Sequence, residues 1–144
     1  MSQSDKKILF DRPAIEKRVE ELAREISGDY AGGELLVIGI LKGAFVFMAD
    51  LVRSLTVPCR VDFMRVSSYG DAAESSGRIT IVKDVELSLE NRDVLIVDDI
   101  VDTGLTLKYI VGELKSRRPH SLKVCAFLDK RKRRKVEFKA DYVG

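Results

Sequence analysis

The sequence contains little of what several classes of protein depend on. Its 144 residues include no tryptophan, one histidine and two cysteines. Cys59 and Cys125 lie far apart and match no paired spacing, so neither a disulfide framework nor a cysteine-rich zinc site is expected. A single histidine, His120, cannot build a histidine-rich metal centre, and its place after Pro119 predicts a surface turn. We therefore expect two free thiols in a protein of a reducing compartment.

The chain also lacks a strong net charge and a long apolar segment. Lys and Arg number 25 against 23 Asp and Glu, a net charge of +2, which excludes binding to nucleic acid through gross charge alone. The longest apolar runs, such as 35–41, are far shorter than the ~20 residues of a membrane span. The N-terminus shows no signal peptide. These features predict one globular domain over 1–144, located in the cytoplasm and independent of membranes.

Hydrophobic periodicity predicts an α/β fold. Ile15, Val19, Leu22 and Ile26 follow helical spacing and predict a helix over 14–26. Further helices are predicted at 44–55 and 106–115, and strands at 34–41, 61–66, 79–82, 93–97 and 122–128. Strands that alternate with helices at short spacing predict a mostly parallel, twisted sheet flanked by helices on both faces. Ligands of such sheets bind beyond the carboxyl ends of the strands.

The segment 94–106 carries the most specific chemical pattern. An apolar strand leads into Asp98, Asp99 and Asp102, and a Thr-Gly-Leu-Thr sequence then opens a helix. The first N–H groups of a helix lack intrahelical partners and attract anions, and a glycine lets a phosphate approach the backbone closely. The carboxylate oxygens of Asp98 and Asp99 suit sugar hydroxyls or Mg²⁺. The segment therefore predicts a site for a sugar phosphate and a divalent cation.

A simpler interpretation is a helix N-cap with acidic residues placed favourably on the helix dipole. One aspartate would satisfy that interpretation. Three acidic residues within 98–102, directly after a buried strand, do not, because buried carboxylates without partners are costly.

The segment 97–106 resembles the phosphoribosyl-pyrophosphate (PRPP) motif of the type I phosphoribosyltransferases. The segments 41–45, 61–70, 128–130 and 139–144 further resemble hypoxanthine-guanine phosphoribosyltransferases, and the likeness extends from about Ile8 to Gly144. The resemblance implies the type I phosphoribosyltransferase fold. It also implies purine salvage, in which Mg²⁺-dependent transfer of the phosphoribosyl group from PRPP to hypoxanthine or guanine gives IMP or GMP and pyrophosphate.

The same resemblance implies a role for each matching residue. Asp98 and Asp99 match the acidic pair at the ribose hydroxyls and the metal, and Asp102 matches the general base that faces the purine. The loop that grips the 5′-phosphate corresponds to Thr103, Gly104, Leu105 and Thr106. Lys42 and Gly43 match the turn that contacts pyrophosphate, where the family has a cis peptide before the lysine. Ser68 and Tyr69 match a mobile lid, predicted here over about 67–78, and Lys139 matches the lysine that reads the 6-oxo group.

Simpler interpretations exist for several of these residues. Without the resemblance, Lys42 and Gly43 would form a plain strand-to-helix turn, Tyr69 would be a surface aromatic, and Lys139 would be one lysine among many. The six consecutive basic residues over 130–135 suggest RNA binding, but a charged surface turn is favoured because the rest of the domain is not basic.

The family pattern continues beyond Gly144 with an aromatic residue that stacks on the purine and an acid that binds a second metal. We therefore expect the hood over the base to be incomplete in this chain. Two alternative functions stay open, a non-catalytic PRPP-binding regulator with the same fold and a transferase that prefers xanthine. The resemblance also predicts a homo-oligomer, either a dimer or a tetramer.

Overall fold

The structure is a computed structural model that describes residues 12–68, 79–101, 103–130, 132 and 138–144. In these residues it contains three helices and six strands. In chain order they are α1 (Arg12–Asp29), β1 (Leu35–Ile40), α2 (Phe45–Ser54), β2 (Cys59–Ser68), β3 (Ile79–Lys83), β4 (Asp93–Val101), α3 (Leu105–Lys115), β5 (Ser121–Asp129) and β6 (Tyr142–Val143).

The six strands form one sheet in the order β3-β2-β1-β4-β5-β6. The pairs β1–β2, β1–β4, β4–β5 and β5–β6 are parallel, and only the β2–β3 pair is antiparallel. The central register places Val37 of β1 between Val61 of β2 and Leu95 of β4. The prediction of a mostly parallel sheet with flanking helices is confirmed.

Each face of the sheet is covered by its own apolar layer. Val37 of β1 and Leu95 of β4 pack with α1 and α2 on one face. Ile38 and Ile96, the next residues along each strand, pack with α3 on the other face. All six residues of β1 are buried, which explains why the sequence shows a continuous apolar run rather than alternation.

Several boundaries differ from the predicted ones. The helix α1 continues to Asp29 instead of ending at 26, because Ser27 is buried and its Oγ accepts a hydrogen bond from the Thr56 N–H at 3.0 Å. The strand β4 continues past 97 to Val101, where Ile100 and Val101 pair with the end of β5. The strand β6 was not predicted, because two residues are too few to show a periodicity.

The first two residues of the predicted lid form part of a strand, and the rest of the predicted lid, 69–78, lies outside the described residues. Ser67 and Ser68 belong to β2 and pair with Thr80 and Ile79 of β3, so this part of 67–78 is strand and not loop. The antiparallel pairing with β3 extends β2 beyond the apolar segment that marked it in the sequence. In the part of the chain that the structure describes, no helix combines the length and the hydropathy required to cross a bilayer.

Candidate active site

The carboxyl ends of β1 and β4 and the start of α3 enclose one cavity of about 260 Å³. Two residues after β1 contribute to it, as do the polar end of β4 and the first turn of α3. The lining residues are Ile40, Leu41, Gly43, Val66, Asp98, Ile100, Val101, Thr103, Gly104, Thr106 and Leu107. The structure therefore brings five of the predicted site residues to one cavity: Gly43, Asp98, Thr103, Gly104 and Thr106.

Asp98 is a half-buried carboxyl in this cavity. Burial raises its pKa to about 7, and the neighbouring Asp99 carboxyl acts in the same direction. Its Oδ1 accepts a hydrogen bond from the Asp99 N–H at 2.9 Å, which opposes part of this rise. A positive charge beside the two carboxyls would favour their ionised form.

Asp99 lies against the loop that follows β1. Its Oδ1 accepts a hydrogen bond from the Ile100 N–H at 2.8 Å. A Cβ placed on Gly43 would come within 2.7 Å of Asp99 Oδ2 and 3.0 Å of its Cγ. The carboxyl therefore packs on the backbone of Gly43, and no side chain fits between the loop and the end of β4.

The first turn of α3 lines the cavity, and the first N–H groups of a helix have no intrahelical partners. Gly104 is the N-cap, with a φ of 86° that places it in the left-handed region, and it has no side chain that accepts a capping hydrogen bond. Thr103 Oγ1 accepts a long hydrogen bond of 3.3 Å from the Leu105 N–H. The first turn of α3 holds no acidic residue, so an anion meets no opposing charge from it.

Lys42 is exposed, and the peptide bond between Leu41 and Lys42 is cis. The loop is tied at both ends. Leu41 N–H donates to Met64 O at 2.9 Å, and Ala44 N–H donates to Ile40 O at 3.2 Å. The Lys42 carbonyl accepts a hydrogen bond of 3.3 Å from the Phe45 N–H, at the start of α2. The backbone of Lys42 and Gly43 is therefore held between β1 and α2.

The remaining predicted residues lie outside this arrangement or outside the described residues. Asp102 and Tyr69 are not among the residues that the structure describes. The backbone of Ser68 ends β2. Lys139 is exposed, and it is not among the described residues that line the cavity. Leu105 begins α3 but is likewise not one of the lining residues.

The segment that carries Lys139 is fixed at several points. Asp141 exchanges two hydrogen bonds of 2.9 Å with Val124 of β5, one through its N–H and one through its carboxylate. Tyr142 OH donates to Asp29 Oδ2 at 2.6 Å, and Arg18 Nη2 donates to the Val143 carbonyl at 2.5 Å. Helix α1 therefore holds β6 against the edge of the sheet.

Sequence reasoning did not single out the apolar part of the cavity. Ile40, Val66, Ile100 and Val101 line it in addition to the polar groups. Ile40 and Val101 end their strands, and this position at the carboxyl edge was the signal that could have identified them. These side chains give the cavity the mixed lining that small-molecule sites share.

A larger groove of about 510 Å³ lies elsewhere, between α1 and α2. Its lining is largely charged and includes Arg12, Glu16, Glu20, Asp50 and Arg53. None of the residues predicted to carry chemistry contributes to this groove, so the smaller cavity is the candidate site.

Comparison with known proteins agrees with this geometry. Residues 5–144 match the family model described as the phosphoribosyl transferase domain. The chain belongs to the phosphoribosyltransferase family. It is 52% identical over 139 residues to a hypoxanthine-guanine phosphoribosyltransferase of Aquifex aeolicus, which covers 96% of this chain and 78% of that protein.

Two further relatives support the same assignment to the phosphoribosyltransferases. A hypoxanthine-guanine phosphoribosyltransferase of Bacillus subtilis is 44% identical over 144 residues, 100% of this chain and 80% of the relative. A crystal structure of a Bacillus anthracis protein of that name superimposes with a TM-score of 0.87 at 42% identity, covering 90% of this chain and 77% of the other. The fold is thus that of the type I phosphoribosyltransferases.

Proposed function

We propose that this phosphoribosyltransferase transfers the 5-phosphoribosyl group of PRPP to hypoxanthine or guanine, forming IMP or GMP and pyrophosphate. One observation carries the proposal: Asp98 at the end of β4 lines the same cavity as the N-terminus of α3, and the neighbouring Asp99 packs on Gly43 of that cavity. The names of the Aquifex aeolicus and Bacillus subtilis relatives support this choice of base.

The 5′-phosphate binds at the start of α3. The N–H groups of the first turn donate to its oxygens, and the hydroxyls of Thr103 and Thr106 add two further donors. Gly104 is buried and in the left-handed conformation, so the backbone exposes these N–H groups without a side chain in the way. Leu105 contributes its backbone N–H, which exchanges its long hydrogen bond to Thr103 Oγ1 for one to the phosphate.

The ribose and the metal lie beside the carboxyls of Asp98 and Asp99. Two carboxyl groups, one of them half-buried, form a donor set that fits Mg²⁺, which takes one or two carboxylates and completes its shell with substrate oxygens and water. Bound Mg²⁺ would neutralise charge on the pyrophosphate leaving group. Asp98 and Asp99 also accept hydrogen bonds from the ribose hydroxyls and so orient the sugar.

Pyrophosphate leaves on the side of the β1–α2 loop. Lys42 supplies a positive charge, and the Gly43 N–H supplies a donor fixed by the loop. During transfer the bond between C1 of the ribose and the pyrophosphate oxygen breaks, and a bond between C1 and a purine nitrogen forms. Asp102 accepts the proton that the purine loses.

The base is selected by its 6-oxo group. Lys139 is a donor, and it pairs with the carbonyl of hypoxanthine or guanine but not with the amino group of adenine. Ser68 ends β2 and leads into the proposed lid, which includes Tyr69 and excludes water from the reacting centre. The small, polar composition of 67–78 suits a lid.

The proposed partner is a second copy of this chain, and the proposed location is the cytoplasm. Phe45 and Val46 at the start of α2 are 58% and 57% exposed, which is unusual for neighbouring apolar side chains. Cys59 and Cys125 are free thiols, which suit a reducing compartment. Light scattering after size exclusion tests the association, and replacement of Phe45 and Val46 by glutamate is expected to yield monomers.

The function is tested by turnover of a panel of bases. With PRPP and Mg²⁺, hypoxanthine and guanine should yield nucleotide monophosphates, and adenine should not. Replacement Asp102→Asn should lower the turnover number by about 10²-fold or more, since general base catalysis contributes typically 10²–10⁴-fold. Asp50→Asn, in a surface ion pair with Arg53, is the matched control and should keep wild-type turnover.

Other outcomes would identify the alternatives. PRPP binding without turnover of any base would indicate a regulator that binds but does not react. Faster turnover of xanthine than of hypoxanthine would indicate a xanthine-preferring transferase.

A further inference from the structure

Gly39 lies near the carboxyl end of the buried strand β1, and its missing side chain makes room for Met48 of α2. A Cβ on Gly39 would come within 2.2 Å of Met48 Sδ and 3.4 Å of Met48 Cε. The Met48 thioether thus fills the space that the side chain of any other amino acid at position 39 would need. Because of this contact, α2 packs closer to β1 than a residue with a Cβ would allow.

Met48 has little space into which it could move. It is 1% exposed and belongs to the same apolar layer as Val37 and Leu51, both fully buried. Phe63 of the neighbouring strand β2 packs against the same layer, and its Cδ1 would lie 3.3 Å from the added Cβ. Protein interiors are close-packed, so the thioether can move away from an added methyl group only if its neighbours in this layer or α2 itself also shift.

A displacement of α2 reaches the site through main-chain hydrogen bonds. Met48 N–H donates to Ala44 O at 2.8 Å, and Ala44 N–H donates to Ile40 O at 3.2 Å. Lys42 and Gly43 lie within the turn that the second of these bonds closes, and Gly43 packs on the carboxyl of Asp99. The first turn of α2 and the loop therefore move as one unit relative to the end of β4.

We propose that the Gly39–Met48 contact positions the pyrophosphate loop, the β1–α2 loop that contains Lys42 and Gly43, by fixing how closely α2 packs on β1. Gly39 and Met48 are positioning residues: they act through the backbone of Lys42 and Gly43. The inference rests on the proposed function only in taking PRPP as the compound that this loop contacts. Gly39 lies in a regular strand, where alanine is conformationally allowed, so a Gly39→Ala substitution tests packing and not backbone strain.

The test is a double-substitution cycle measured on the full chain. Gly39→Ala should raise both the Kd for PRPP by calorimetry and the KM for PRPP about ten-fold, because small displacements of binding groups cost up to about 10²-fold. The KM for hypoxanthine should stay within about two-fold of wild type, since the purine contacts lie elsewhere. Adding Met48→Ala to Gly39→Ala removes the clash and should restore the Kd and KM for PRPP to within about two-fold.

Two controls separate positioning from a loss of stability. Gly112→Ala, a helical glycine with no atom within 4 Å of the added Cβ, should leave both KM values unchanged. Met48→Ala alone leaves a cavity and should lower Tm, while the KM for PRPP changes less than in Gly39→Ala. If Gly39→Ala/Met48→Ala does not fold, Met48→Val in the Gly39→Ala background performs the same test with a smaller cavity.

The proposal is overturned if Gly39→Ala raises the KM for PRPP and for hypoxanthine equally. It is also overturned if the PRPP constants of Gly39→Ala equal those of wild type, or if neither second substitution restores them. Failure of the proposed function is a different result, because wild type itself would then neither bind PRPP nor form a nucleotide.

Discussion

The Asp99 carboxyl packs on Gly43 beside the cavity: a Cβ at Gly43 would come within 2.7 Å of Asp99 Oδ2. Gly43 follows the end of β1, and Asp99 lies near the end of β4. Their contact joins the proposed pyrophosphate loop to the proposed metal-binding carboxyl pair. Under the proposed function, one packed unit would therefore hold the leaving group and the metal.

The first prediction concerns this contact. Gly43→Ala should weaken binding of PRPP in the presence of Mg²⁺ about ten-fold or more, because the methyl group separates the loop from Asp99. Calorimetric titration with PRPP at several Mg²⁺ concentrations measures the effect. Gly28→Ala, where the added Cβ meets no atom within 4 Å, is the control. Equal affinities for Gly43→Ala and wild type would show that the contact is unimportant for binding.

The second prediction concerns Asp62, a buried carboxyl that is 7% exposed. Its Oδ2 accepts hydrogen bonds from the Glu86 and Leu87 N–H groups at 2.7 and 2.8 Å. The Phe63 N–H donates to Oδ1 at 2.8 Å. We expect Asp62→Asn to lower the free energy of unfolding by about 1–3 kcal/mol, because the amide leaves one of these donors without its acceptor. Urea unfolding at pH 7 measures the change, and Asp50→Asn is the surface control.

Asp62 also predicts a dependence of stability on pH. Burial acts to raise its pKa, but the backbone hydrogen bonds outweigh burial and hold the pKa below 3.8. The unfolded chain therefore binds the proton more readily than the folded one, and stability rises with pH in this range. The stabilisation that the Asp62 carboxylate contributes is complete above pH 3.8, the pKa of the unfolded chain, and is lost as the pH falls through the lower pKa of the folded chain. The difference in unfolding free energy between wild type and Asp62→Asn should narrow below that pH; a constant difference would contradict the assignment.

The third prediction concerns the attachment of β6 to α1. Arg18 donates to the Val143 carbonyl across 125 residues of sequence, so Arg18→Ala should destabilise the fold by about 1–2 kcal/mol. It should also raise the KM for hypoxanthine more than that for PRPP, because β6 follows the segment that carries Lys139. Arg24→Ala, exposed on the same helix, is the matched control. Arg18→Lys keeps one donor and should recover part of both effects.

The fourth prediction concerns the choice of base. Lys139→Ala should raise the KM for hypoxanthine roughly ten-fold to a hundred-fold, the effect expected for a hydrogen bond to a charged donor. The Kd for PRPP should not change. Lys123→Ala is the control lysine substitution. Lys123 lies over the rings of Tyr30 and Tyr142 and has no proposed role in binding the base. A loss of PRPP affinity in Lys139→Ala would contradict the prediction, because it would show that this lysine contacts PRPP and not only the base.

Much of the architecture was predictable because strong local patterns define it. The buried strand β1 is continuously apolar, and the helix α1 shows regular spacing of Val19, Leu22 and Ile26. The end of β4 was not predictable in the same way. Asp98 and Asp99 are polar, and only pairing with β5, a contact between distant segments, keeps this stretch in the sheet.

The candidate site shows the same division. Asp98, Thr103 and Gly104 lie close together in sequence, so a single motif predicted that they would share one site. The Gly39–Met48 and Gly43–Asp99 contacts depend on how α2 packs on β1, and no local pattern carries that information. The attachment of β6 by Arg18 and Asp29 likewise joins the two ends of the chain and could not be read from either end.

The most direct test of the phosphate site is an amide NMR titration with IMP, the proposed product, with inosine as the control without phosphate. The account predicts that IMP shifts the amide signals of Gly104, Leu105 and Thr106 more than those elsewhere, and that inosine leaves these signals in place. Unchanged signals at these three residues, with IMP shifting amides in another part of the molecule, would contradict it.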